Sequence, residues 1–293
     1  MIQSFLKYLT YERRYSQHTI TSYDCDLKQF QKFISDNFTG VTLEDISYHH
    51  IRAWIIHLME QDLNPGSVNR KIVSLRSFYK YLLQEGTIQT DPTTKVKVLK
   101  TPKKLPDFVQ EEDMQRLLDH FTFDDDFAGW RDRLILELLY GTGIRLSELT
   151  GLKESDIDLF HHQIKVLGKR NKERIIPFEK NLKNIFSNYL DKKNSLFDHN
   201  RNEYLLVTDK GGKSYPMMIY RVVKKYLAIF TTVEKKSPHV LRHTFATHLL
   251  NKGADLNAVK DLLGHASLAA TQVYTHNSLD KLKRVFDQAH PKA

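Results

Sequence analysis

Tyr140-Gly141-Thr142-Gly143-Ile144-Arg145-Leu146-Ser147-Glu148-Leu149 follows an apolar helical face carried by Leu134, Ile135 and Leu138, and breaks it with two glycines just before an arginine. Glycine permits tight backbone geometry, so the turn aims the Arg145 guanidinium from a fixed position. Working outward, Ser237-Pro238-His239-Val240-Leu241-Arg242 is a helix start, with Ser237 near the N-cap and Pro238 in the first turn. His239 and Arg242, three apart, then share one helix face. Leu256 to Leu263 reads as a second helix stopped at Gly264, which leaves His265 on the turn beyond it and Tyr274 one short segment later. Between these stretches, Val166-Leu167-Gly168-Lys169-Arg170-Asn171-Lys172-Glu173-Arg174-Ile175-Ile176-Pro177 reads as strand, polar turn, strand.

Arg145, Lys169, His239, Arg242 and His265 lie upstream of Tyr274 in local contexts suited to gripping one phosphate. A phosphodiester under in-line attack spreads negative charge over its non-bridging oxygens, and planar guanidinium forks match that geometry better than ammonium groups do. Two arginines can therefore do what a metal ion does elsewhere, and neither metal nor cofactor is expected. A phenol with a pKa near 10 attacks phosphorus and later leaves more readily than an alcohol, which suits Tyr274 to both directions of a transfer. Lys169, at a hairpin tip able to enter a DNA groove, is placed to protonate a departing oxygen.

The strings G-T-G-I-R-L-S-E-L (141–149), G-K-R-N-K-E-R-I-I-P (168–177), H-V-L-R-H-T-F-A-T-H-L-L (239–250) and L-L-G-H-A-S-L-A-A-T-Q-V-Y-T-H (262–276) resemble, in order, the signatures of the tyrosine recombinases of the phage integrase family. Within that family the chain is most similar to the bacterial chromosome-dimer resolvases, over nearly its whole length. The resemblance implies a site-specific recombinase that cuts and rejoins DNA through a 3′-phosphotyrosine at a dimer-resolution site. Tyr274 would be the nucleophile, Arg145 and Arg242 the phosphate clamps, and His239 the aid to proton transfer at the tyrosine. His265 would hydrogen-bond the phosphate, Lys169 would be the acid for the 5′-oxygen, and Glu148 would orient the first arginine. Many relatives have glycine after the hairpin lysine where this chain has Arg170, which leaves Lys172 as a second candidate acid beside Lys169. Arg170, Lys172 and Arg174 on the hairpin read as phosphate contacts or as a solvated face.

Composition points the same way. The formal charge of +9 over 293 residues and a pI near 9.3 favour an anionic polymer as partner. One cysteine, Cys25, leaves no internal disulfide and fits a reducing cytoplasm. No apolar run approaches the roughly 20 residues of a membrane span, and the opening Met1 to Leu9 is amphipathic rather than a signal peptide. His239, His243 and His248 lack a neighbouring acidic third ligand, so they read as packing and hydrogen-bonding histidines rather than a zinc site.

The expected fold is mainly α: a four-helix N-terminal core-binding domain of the SAM-like kind over 1–90, a basic linker over 91–106, and a mixed α/β catalytic domain over 107–293 with a small antiparallel sheet. Helical spacing marks Ile2-Phe5-Leu6-Leu9, then Ile20 to Ile34, then Ile51 to Leu58. A fourth helix from Asn64-Pro65-Gly66-Ser67 buries Val68, Ile72, Leu75, Tyr79 and Leu82. Asn69, Arg70, Arg76, Ser77 and Lys80 fall opposite, either as an ordinary wet surface or as a face for a major groove. Lysine and proline from Asp91 to Pro106 read as an extended linker that lets two domains close around a duplex.

In the catalytic part, strands are expected at Gln163 to Leu167, Arg174 to Phe178 and Tyr204 to Val207, and helices at Phe127 to Tyr140, Met217 to Phe230, Pro238 to Leu250 and Leu256 to Leu263. A last amphipathic helix, about 279–289, either packs on its own domain or, as the resemblance implies, docks into a neighbouring subunit. The implied partners are double-stranded DNA, other recombinase protomers in a homotetramer or in a heterotetramer with a paralogue on DNA, and a DNA translocase. An integrase of a mobile element, a nicking-closing enzyme of topoisomerase type and a non-catalytic DNA-binding regulator are the alternatives; strand exchange and covalent DNA capture separate them.

Overall fold

The computed structural model describes residues 1–102, 107–168, 173–197, 203–264 and 289. The chain divides into two compact units, Met1–Lys104 and Leu105–Ala293, each with its own core.

The first unit is four helices: α1 (Ile2–Tyr11), α2 (Gln17–Asn37), α3 (Tyr48–Glu60) and α4 (Pro65–Gln84). The Ser16 and Asn64 side chains cap α2 and α4 by accepting from Thr19 and Ser67 backbone N–H groups, and Pro65 opens α4 where a missing N–H costs nothing. Phe5, Leu27, Phe30, Ile51, Trp54, Val68, Leu75, Phe78 and Tyr79 form the core.

Inside that core sits a buried ion pair, Asp26 with Lys71, that the helical pattern did not single out. Asp26 on α2, 1% exposed, accepts from Arg70, Lys71 and Ser74 of α4. A buried carboxylate needs such partners, and their directionality fixes how α2 and α4 register.

The face of α4 read as a groove-binding surface is largely committed within the unit. Asn69 brackets residue 99, donating to the Leu99 carbonyl at 2.9 Å and accepting from its N–H at 2.8 Å, and Arg76 donates to the Val96 carbonyl. Residues 91–99, read as the start of a linker, therefore lie on the helical unit, with Thr93 and Val96 buried. The physical reason is backbone supply: extended chain has free N–H and C=O groups, and the Asn69 amide offers both complements. Asn69→Ala is expected to cost about 1–2 kcal/mol, since two hydrogen bonds go, and to speed proteolysis across residues 93–102. An unchanged melting temperature together with an unchanged digestion pattern would refute this.

The second unit begins with α5 (Glu111–Gln115), which runs on as a π-helical turn (Arg116–His120). The central helix α6 (Phe127–Thr142) follows, buried on nearly every side, then the short α7 (Leu146–Gly151). Strands β1 (Ile157–Asp158), β2 (Gln163–Leu167) and β3 (Glu173–Pro177) form an antiparallel sheet in the order β1-β2-β3, with Ile164 opposite Ile176 and Val166 opposite Arg174. Helices α8 (Lys180–Phe197), α9 (Pro216–Phe230), α10 (Pro238–Asn251) and α11 (Leu256–Leu263) complete its described part.

The third strand differs from expectation. Tyr204 to Val207 is not a strand of the sheet; Tyr204 and Val207 make only single bridges, to Lys153 and Lys213, and Ile157–Asp158 takes the edge instead. Leu205, Leu206 and Val207 are all buried, and the carbonyl of Leu205 accepts from Tyr189 of α8, so this apolar run is core filler tied to a helix. A continuous apolar run does not by itself distinguish the two.

Among the described residues no helix is long and apolar enough to cross a membrane.

Candidate active site

Helix α6 ends because Gly143 takes a left-handed conformation, φ 60°. A Cβ there would lie 2.6 Å from Phe245 Cδ1 and 2.8 Å from Leu263 Cδ2, so both the conformation and the space require glycine. The chain then turns into α7 with Arg145 at its N-cap. Glu148, three residues on, accepts from the Arg145 backbone N–H at 2.8 Å and from its guanidinium at 2.9 Å, so one carboxylate both caps the helix and holds the arginine.

Arg242, on the first turns of α10 behind the Ser237 cap, is 7% exposed. Its guanidinium donates to the Gly143 carbonyl and, at 2.6 Å, to the Leu263 carbonyl. Burial and then the charges of Arg145 and Arg174 push its pKa down to about 10, which still leaves it charged at neutral pH.

The third guanidinium was read from sequence as a DNA contact on the hairpin face, and that is corrected. Arg174 is 5% exposed and forms a two-pronged pair with Glu148, at 2.7 and 2.9 Å, while its Nε donates to the Leu262 carbonyl at 3.2 Å. Strand alternation explains it: on β3, Arg174 shares the inward face with Ile176. Ile175 and Ile176, both apolar, left that parity ambiguous in the sequence.

Three arginines thus end on three successive carbonyls. Arg174 takes Leu262, Arg242 takes Leu263, and Arg145 takes Gly264 at 2.7 Å. These groups lie at the C-terminus of α11, where the helix has no further N–H to offer and the dipole is negative. Gly264, at φ 62°, ends the helix; a Cβ there would press on Arg174 at 3.1 Å.

Among the described residues, Glu148 is the carboxylate within reach of this cluster. Burial works to raise its pKa, but the hydrogen bonds and charge of Arg174 and the two contacts from Arg145 outweigh it and hold the group below its ordinary value. Three guanidiniums against one carboxylate leave two positive charges in excess, the electrostatics of a site for a phosphate.

His239 is exposed at the start of α10, and burial followed by the nearness of His239 lowers the pKa of His243. His248 is buried and shares a 2.9 Å hydrogen bond with Tyr140, a packing role. No cluster of three or more potential metal ligands occurs among the described residues. Lys169, Arg170, Lys172, His265, Tyr274 and the helix expected near 279–289 lie outside the described residues, Ala289 alone excepted. On α4, Lys80 is exposed, Ser77 half-buried, and Arg70 half-exposed while bonded to Asp26.

The family model of the phage integrase family matches residues 107–280, and that of the phage integrase N-terminal SAM-like domain matches residues 2–86. The chain belongs to the phage integrase family, and is a site-specific tyrosine recombinase, an enzyme that cleaves and rejoins DNA. Among its relatives are proteins named tyrosine recombinase XerC. That of Chlorobaculum parvum is 37% identical over 317 aligned residues, covering 100% of this chain and 94% of the relative. That of Listeria monocytogenes serotype 4a is 39% identical, covering 99% and 97%. The fold is shared with the XerH recombinase solved with a palindromic difH substrate after cleavage, at a TM-score of 0.73, 23% identity, and coverage of 97% of this chain and 83% of that one.

Proposed function

We propose that this recombinase resolves chromosome dimers at a dif-like site, in the cytoplasm, as four protomers on two duplexes, alone or with a paralogous partner. The observation that carries the catalytic part is the excess of two positive charges among Arg145, Arg174, Arg242 and Glu148 at the end of α11. The resemblance to the chromosome-dimer resolvases and the XerC relatives support the biological role.

In this reading Arg145 and Arg242 bind the non-bridging oxygens of the scissile phosphate and stabilise the charge that grows there during attack. The Tyr274 oxygen attacks phosphorus and loses its proton with the help of His239, while the bond to the 5′-oxygen breaks. Lys169, or Lys172 in its place, donates the proton that turns that oxygen into a hydroxyl. His265 hydrogen-bonds the phosphate. The 3′-phosphotyrosine keeps the energy of the broken bond, so a 5′-hydroxyl from the partner duplex can displace Tyr274 and rejoin the strand without ATP. In the first unit, Lys80, Ser77 and the exposed part of Arg70 remain for DNA backbone contacts.

The test is to incubate the protein with a nicked suicide duplex carrying a dimer-resolution site, in chelator, and look for a denaturant-resistant adduct. Expected is an adduct whose DNA-linked peptide contains Tyr274, with the paralogue added if the chain works in a pair. Failure with its own genomic site and every genomic paralogue present would refute the reading; an adduct with relaxation but no strand exchange would move the enzyme to the nicking-closing class.

A further inference from the structure

Arg174 is spent in a way that a solvent-facing hairpin arginine is not. Its two terminal nitrogens meet both oxygens of Glu148, and its Nε meets the end of α11. Glu148 in turn holds Arg145 by backbone and by side chain, and Arg145 and Arg242 hold the next two carbonyls of the same helix end. The side chain of Arg174 is buried, so it does not reach DNA at the surface, and it lies on β3, the strand that follows residues 169–172 in the chain.

We propose that Arg174 is a positioning residue of the phosphate clamp: it fixes Glu148, through Glu148 it aims Arg145, and it ties both to the end of α11 from which His265 follows. This rests on the reading of Arg145 and Arg242 as the groups that grip the scissile phosphate. A guanidinium suits the task because its planar fork engages both carboxylate oxygens at once while a third N–H points elsewhere; an ammonium supplies charge without that geometry. The alternative use of a buried arginine, plain structural neutralisation of Glu148, predicts a loss of stability with no specific effect on cleavage.

The two differ in their pH dependence. Burial favours the neutral form of Glu148, and Arg174 is the first of the groups that overcome it. Without Arg174 the carboxyl pKa rises, so a proton binds as pH falls and the carboxylate–Arg145 pair is lost. The defect should therefore deepen toward acid, and should not do so where residue 148 cannot ionise.

The experiment uses the full chain with a suicide duplex, measuring DNA affinity and single-turnover cleavage separately from about pH 5.5 to 8.5, a range in which an ordinary carboxylate is already charged. Arg174→Met is expected to bind DNA within about threefold of wild type and to cleave at least about tenfold more slowly at the basic end, with a further loss toward acid. Arg174→Lys should recover part of the rate and most of the flat pH profile. In Glu148→Gln, adding Arg174→Met should change little, because one pathway is already cut. Arg174→Met with wild-type cleavage at every pH, or effects of Arg174→Met and Glu148→Gln that simply multiply, would overturn the proposal. Arg145→Ala distinguishes the premise: if it too cleaves normally, the phosphate-clamp reading itself is wrong, whereas a dead Arg145→Ala beside a normal Arg174→Met sinks only the positioning role. Should Arg174→Met not fold, the folded Arg174→Lys and Glu148→Gln proteins still carry the test, through a rate loss in both without loss of affinity.

Discussion

Arg242→Ala is expected to leave a protein that still binds its duplex and cleaves it about a thousandfold more slowly, a loss of roughly 4 kcal/mol in transition-state stabilisation. Arg242 is almost fully buried, and its fork is set by the carbonyls of Gly143 and Leu263, so the donors left over point from a fixed frame. Donors fixed in advance need no reorganisation when charge develops on the phosphate, which is why their removal falls on rate more than on binding. Arg242→Lys should recover little. An ammonium cannot span two carbonyls and a phosphate together, and burial beside two guanidiniums, which already pushes Arg242 down to about 10, would favour a neutral amine. Single-turnover cleavage alongside DNA affinity decides the matter; either variant within tenfold of wild type would mean that Arg242 does not hold the scissile phosphate.

The readable and unreadable parts of this molecule divide by physics. The four helices of the first unit stand where apolar spacing put them, and α11 runs from Leu256 to Leu263 as expected, because an Asp255 cap and a Gly264 stop are local signals. α6 runs two residues past its expected end, through the first of its two glycines, since only Gly143 turns left-handed. Helix α8 was not anticipated; its buried Leu182, Ile185, Phe186 and Tyr189 follow helical spacing but lie in a lysine- and asparagine-rich stretch.

What escaped the sequence is long-range pairing. The Arg145–Glu148 contact spans three residues and was expected from the family resemblance. The Arg174–Glu148 pair spans twenty-six residues and the Arg145–Gly264 bond more than a hundred, and no local pattern encodes either. Yet Arg174 had a trace, two places before Ile176 on a strand with one buried face, blurred by the apolar Ile175 between them. A polar residue at an inward position asks for a partner, and here the partners are a carboxylate and stretches of backbone.

Gly143 offers the sharpest test of how the fold sets the site. Gly143→Ala is expected to destabilise the second unit by roughly 2–4 kcal/mol: about 1–2 for a left-handed non-glycine residue, and the rest for a methyl group driven against Phe245 and Leu263. For a unit of this size that lowers the melting temperature by roughly 4–16 °C. Gly253 provides the control within the same unit. It too has a left-handed φ, 86°, but a Cβ there meets nothing within 4 Å, so Gly253→Ala carries the conformational cost alone. The difference between the two variants isolates the contact. It also separates stability from chemistry, because the Gly143 carbonyl accepts from Arg242 and the residue lies two before Arg145. Any relief of the clash has to move α10, α11 or the Arg145 turn, and each carries part of the arginine cluster. Below its melting transition, Gly143→Ala should cleave DNA more slowly than Gly253→Ala by at least about tenfold, the usual consequence of misplacing a catalytic group by a fraction of an ångström. Equal melting temperatures and equal cleavage in the two variants would show that the space around Gly143 yields freely, and that the turn does not set the clamp.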